Sequence, residues 1–148
     1  MKSAVGILLT VLSLVVIGCG RKQPAADANG SPAAVPLVDL TDQNFQREVI
    51  ESELPVLVDM WAPWCQRCIA MKPTIRELAS ELSGEVKVAE LNIEENPFIK
   101  QKYNVDKYPM LLIFVGGKEV ERLIGLKSKE ELKDALRVYT RDQTGAEQ

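Results

Sequence analysis

The sequence predicts an α/β domain, a mixed central sheet flanked by helices in the order β-α-β-α-β-α-β-β-α. Three observations carry this. Apolar runs of strand length alternate with segments whose apolar residues recur every three or four positions. The run Met110 to Val115 is apolar without a break, as expected of a strand covered on both faces. Gly116-Gly117 follows at once and reads as a two-residue turn, so the sheet closes on an antiparallel hairpin.

Ahead of the domain stands a segment of different character. Met1-Lys2 gives a positive start, and Ala4 to Ile17 carries no charge. As a helix this run would reach only about 21 Å, against a hydrocarbon core of ~30 Å. It suits the apolar part of a secretory signal better than a membrane span. Val16-Ile17-Gly18-Cys19 resembles the bacterial lipobox. That resemblance implies a lipoprotein signal peptide over residues 1–18, cleavage after Gly18, and a lipid anchor on Cys19. An ordinary signal peptide, or an uncleaved anchor with an incidental Cys, is the alternative. Residues 20–36 are rich in Ala, Pro, Gly and polar side chains without periodicity, and read with Cys19 as a flexible tether. The folded domain is expected over residues 37–140, with a polar tail over 141–148.

Within the domain, Thr41 can cap a short helix through Phe45, Val49 and Ile50. Pro55 to Trp61 is an apolar run of strand length with one charge inside it, Asp59. Cys68, Met71, Ile75, Leu78 and Leu82 mark one face of a helix ending near Gly84, and Pro73 lies inside it. Val86 to Ile93 is a further strand. Asn96-Pro97 reads as a cap followed by Pro at the first helical position. Beyond the hairpin, whose second strand is Lys118 to Ile124, Ser128 and Glu131 form a capping box for a last helix.

The chain of 148 residues is 46% hydrophobic and 26% charged, a globular composition. Its net charge of −3 offers no basic surface for nucleic acid. It contains no His, which removes Ser/His/Asp triads, Cys/His dyads and His-liganded metals. Of its three Cys, Cys65 and Cys68 stand where a buried strand passes into a helix. Two Cys so spaced can form a small disulfide ring, and the free N–H groups of the helix start favour a thiolate. Cys65, at the helix end, is the better-placed attacker in disulfide exchange, and Cys68, one turn in, would resolve the mixed disulfide. Zinc would need a second pair of ligands, which the domain's Cys and His content does not supply. An inert structural bridge is the other alternative, but one closing so short a loop would constrain the unfolded chain little.

The stretch Val56-Leu-Val-Asp-Met-Trp-Ala-Pro-Trp-Cys-Gln-Arg-Cys68 resembles the active-site segment of the thioredoxin family, and the resemblance runs from about residue 38 to 139. It implies the thioredoxin fold and protein thiol–disulfide exchange on protein substrates, with the Cys65–Cys68 disulfide as the redox group and no further cofactor. It places Asp59 at the family's buried acid, which is thought to pass a proton to and from the resolving Cys. Pro73 falls at the helix-kinking proline and Tyr108-Pro109 at the cis-proline beside the Cys pair. Gly125 falls where a glycine admits substrate backbone, and Trp64 joins these on the substrate side. Asp59 as a merely hydrogen-bonded core acid, Trp61 as core cover and Pro109 as a trans proline opening an edge strand are the plainer readings.

Departures from the family pattern bear on tuning. Gln66-Arg67 replaces the usual Gly-Pro, and a cation at Arg67 should lower the thiol pKa and make the disulfide more oxidising. Tyr108 resembles the disulfide-isomerase branch. Glu90 stands where thioredoxins commonly carry a Lys facing the acid. If Glu90 faces Asp59 the two carboxyls should titrate as a coupled pair, one of them raised; the alternative is that Glu90 turns to water. The expectation is an extracytoplasmic, lipid-anchored protein-disulfide reductase of the bacterial cell envelope, facing the periplasm or the exterior and served by a membrane electron donor or acceptor. Oxidase- or isomerase-type exchange, and a tethered client-binding module without turnover, are the alternatives.

Overall fold

The structure, a computed structural model, describes residues 37–141. The expected signal peptide, the lipidated Cys19, the tether and residues 142–148 lie outside the described residues. The strands are β1 (Val38–Leu40), β2 (Val56–Trp61), β3 (Lys87–Asn92), β4 (Met110–Val115) and β5 (Lys118–Ile124), and the helices α1 (Gln66–Glu81), α2 (Pro97–Lys102) and α3 (Lys129–Arg141). The expected order of elements is observed. Helix α3 runs through Arg141, one residue into the expected tail.

The first helical segment, Gln46–Ile50, differs in kind from the expected α-helix. It is a π-helical turn, closed by an i→i+5 bond from Glu51 N–H to the Gln46 carbonyl at 3.0 Å. Thr41 does not cap it, since Phe45 holds the N-cap position without a side-chain bond; Thr41 instead closes the turn ahead, its Oγ1 accepting from Asn44 N–H at 3.2 Å while Asn44 Oδ1 accepts from Thr41 N–H at 2.7 Å. Asn96 departs from expectation too. It occupies the N-cap position of α2 but makes no capping bond. Its Oδ1 accepts from Asp42 N–H at 2.7 Å and its Nδ2 donates to the Asn92 carbonyl at 2.9 Å. The free amides of Phe98 and Ile99 go to the Asp42 carboxylate, at 3.1 and 3.0 Å. A charged cap from a distant loop thus does the work expected of the local residue. The capping box of α3 is as expected, with Ser128 N–H donating to Glu131 Oε2 at 2.8 Å and Glu131 N–H to Ser128 Oγ at 3.3 Å.

The sheet order is β1-β3-β2-β4-β5. β3 lies parallel to β1 and β2, β4 antiparallel to β2, and β5 antiparallel to β4. Alternation along the strands fills two apolar layers. Leu57, Leu111 and Ile113 pack with Met71, Ile75 and Leu78 of α1 and Leu132 and Leu136 of α3. Val56, Val58, Leu112 and Phe114 pack on the other face with Phe45, Val49 and Ile99. There Phe45, Tyr103 and Phe114 form an aromatic triad with centroids 5.3 to 5.7 Å apart. The Gly116-Gly117 turn has φ of +54° and +76°, the left-handed pair such a tight turn requires.

Candidate active site

β2 is the central strand, and its C-terminal end delivers the chain to Cys65, the N-cap of α1. Cys65 and Cys68 are joined by a disulfide with Cα atoms 5.3 Å apart. Cys68 N–H donates to Cys65 Sγ at 3.1 Å, so one of the free amides of the helix start already addresses the sulfur that would carry charge. The two residues are unequally placed: Cys65 keeps 7% of its surface and Cys68 none, so Cys65 is the more accessible of the pair. Arg67 is exposed in the first turn of α1.

The wall beside the disulfide comes from the loop before β4. The Tyr108–Pro109 peptide is cis. Tyr108 donates its hydroxyl to the Val105 carbonyl at 2.8 Å and stands edge-on to Trp64, centroids 5.1 Å apart at 87°. This contact brings the proline loop and the Cys segment together and leaves Trp64 55% exposed next to Cys65. Gly125 N–H donates to the Pro109 carbonyl at 2.8 Å, which ties the end of β5 to the same loop. Gly125 has φ +86° and open space where a Cβ would stand.

Asp59 lies inside the sheet, fully buried, and neither carboxylate oxygen has a hydrogen-bond partner in the protein. Burial pushes its pKa up from 3.8 to about 7, with Lys72 pulling down and Glu90 pushing up more weakly. Glu90 is the register partner of Asp59 on β3. A cation acts on Asp59 all the same, from another element. Lys72 reaches over from α1, its Nζ 2.7 Å from Glu90 Oε2 and 3.6 Å from the centre of the Trp61 ring. Glu90 thus faces an ammonium as well as an acid. Sequence reading missed Lys72. Its signals were its place one helical turn beyond Cys68 and the lack of a cation at Glu90. Among the described residues there is no group of three or more Cys, Asp or Glu arranged to hold a metal ion.

The thioredoxin family model matches residues 36–138. The chain belongs to the thioredoxin family. It is 45% identical to a thioredoxin of Rickettsia felis over 65% of this chain and 91% of that one. It is 41% identical to a thioredoxin of Synechocystis over 68% of this chain and 94% of that one. A chloroplastic M-type thioredoxin of Spinacia oleracea is 41% identical over 74% of this chain and 60% of that one. As a thioredoxin-type protein-disulfide oxidoreductase the protein needs no cofactor, since the redox group is its own Cys65–Cys68 pair.

Proposed function

We propose that the protein is a membrane-anchored protein-disulfide reductase acting outside the cytoplasm, with Cys65 as nucleophile, Cys68 as resolving thiol and Asp59 as proton acceptor. The observation that carries the exchange chemistry is the unequal burial of the two cysteines at the start of α1. In the reduced protein the Cys65 thiolate attacks a client disulfide, forming a mixed disulfide and releasing the client's first thiolate. Cys68 then gives its proton to Asp59 and attacks Cys65 Sγ. The Cys65–client bond breaks, the Cys65–Cys68 bond forms, and the client's second thiolate takes a proton from water. Two electrons pass from the dithiol to the client, and a membrane donor outside this chain returns them. Trp64, Tyr108, Pro109 and Gly125 are the surface on which the client segment rests. Reduction is the direction in which thioredoxin-like domains generally work. Exposed Arg67 beside the thiolate favours the opposite, oxidase- or isomerase-type reading, because it stabilises the reduced form. The anchor is lipid on Cys19, with residues 20–36 as its tether.

Full-length Cys68→Ser protein mixed with a disulfide-bonded client should accumulate a mixed disulfide through Cys65, and Cys65→Ser should not. Trapping by Cys65→Ser instead would reverse the roles. Turnover of insulin with dithiothreitol as donor separates a working oxidoreductase from a client-binding module, which would show none.

A further inference from the structure

We propose that Lys72 and Glu90 form a positioning pair for Asp59, a cation held in place by an anion and an aromatic ring, whose balance of charges decides how readily the buried acid releases its proton. The geometry shows how the ammonium is held. On one side it meets Glu90 at 2.7 Å, on the other the Trp61 ring at 3.6 Å. Both partners of the ion pair are largely shielded, Lys72 with 16% and Glu90 with 19% of the side chain exposed, so water screens them less than a surface pair. All three residues of this arrangement sit on rigid elements: Glu90 in register with Asp59 on β3, Trp61 two residues beyond Asp59 on β2, and Lys72 on α1 one turn past Cys68.

The neighbours of Asp59 from other elements limit what else can act on it. β4 presents Leu111 at its register position, and α3 contributes Leu132 and Leu136 to the same layer. Charge therefore arrives from α1 through Lys72 and from β3 through Glu90, and the α1 thiols are locked in the disulfide. Lys72 alone would favour the ionised acid, and Glu90 alone would oppose it. Joined, they form a nearly neutral pair that tempers each other's field, leaving burial as the dominant influence on Asp59. The ion pair thus lets Lys72 sit close to the acid without forcing it to ionise. It is a tuning device distinct from the acid itself.

The proposal rests on the reading that Asp59 takes the Cys68 proton, and its test separates the two. The carboxyl of Asp59 is titrated by NMR in oxidised full-length protein in detergent, where the Cys do not titrate. Lys72→Met should move the Asp59 midpoint up, and Glu90→Gln should move it down, each by roughly one pH unit. The double variant should return close to the starting value. A merely structural pair would move both single variants the same way or not at all, and either result overturns the proposal. The pH profile of client reduction is then recorded on the same variants. Parallel displacement of the profile supports both readings. A displaced midpoint with a fixed profile supports the pair and overturns the proton role of Asp59.

Discussion

Asp59 is the residue whose chemistry and stability contributions pull apart. Burial raises its pKa from 3.8 to about 7, so folding carries a penalty that depends on pH. Well below pH 3.8 the acid is protonated in both the folded and the unfolded chain, and only the pH-independent cost of an unpaired buried carboxyl is left. Between there and about pH 7 the unfolded chain ionises alone, and stability falls as pH rises. Above about pH 7 both states are ionised and the penalty is constant, on the order of 4 kcal/mol. Asp59→Asn should therefore match the parent protein in urea denaturation at pH 4 and exceed it by a few kcal/mol at pH 8, in the oxidised state. Equal stability at both pH values would show that water reaches the carboxyl. The site retains an acid at this cost, which fits a residue kept for proton transfer rather than packing.

At the scale of elements, the joints between segments carry more information than the segments. Gly117 has φ +76°, and a Cβ there would stand 2.5 Å from the Ile50 carbonyl oxygen, so the hairpin tip closes onto the end of the π-helical turn. Gly116 also has a positive φ, but its Cβ would meet open space. Gly117→Ala should cost about 2 kcal/mol or more, and Gly116→Ala about 1 kcal/mol. Paired denaturation curves check this, and equal losses would mean that the hairpin tip moves away from Ile50 freely. The Asp42 cap on α2 is another such joint, since it binds the loop before the π-helical turn to a helix more than fifty residues later.

For the molecule as a whole, local chemistry was legible and meetings across the fold were not. Unbroken apolarity marked β4 to the residue, Gly116-Gly117 marked the turn, and Ser128 with Glu131 marked the start of α3. The Cys pair was readable from its spacing, the cis Pro109 only through the family resemblance. The π-helical closure of Gln46–Ile50 was not, because apolar spacing over five residues does not distinguish an i→i+4 from an i→i+5 turn. Asp42 as the cap of α2 was hidden because Asn96 offered a sufficient local answer. Lys72 was hidden because a long flexible side chain on a helix declares its partner only when the helix is laid on the sheet. The membrane reading is tested on the whole chain. Cys19→Ser should leave the membrane fraction for the soluble one while the purified protein keeps its insulin-reducing activity. Retention in the membrane after signal cleavage would overturn the lipid anchor.

The position of β2 has a consequence for endurance. It is paired on both edges, by β3 and β4, and residues Val56 to Met60 are buried. Amides in such a strand exchange with solvent only when the domain opens globally. The disulfide at its end links residues three apart and closes a small ring. By the chain-entropy relation even so small a ring contributes about 2 kcal/mol, so the reduced chain opens its core on the order of tenfold more often than the oxidised one. A protease that waits for the open chain therefore meets it more often before the disulfide forms than after.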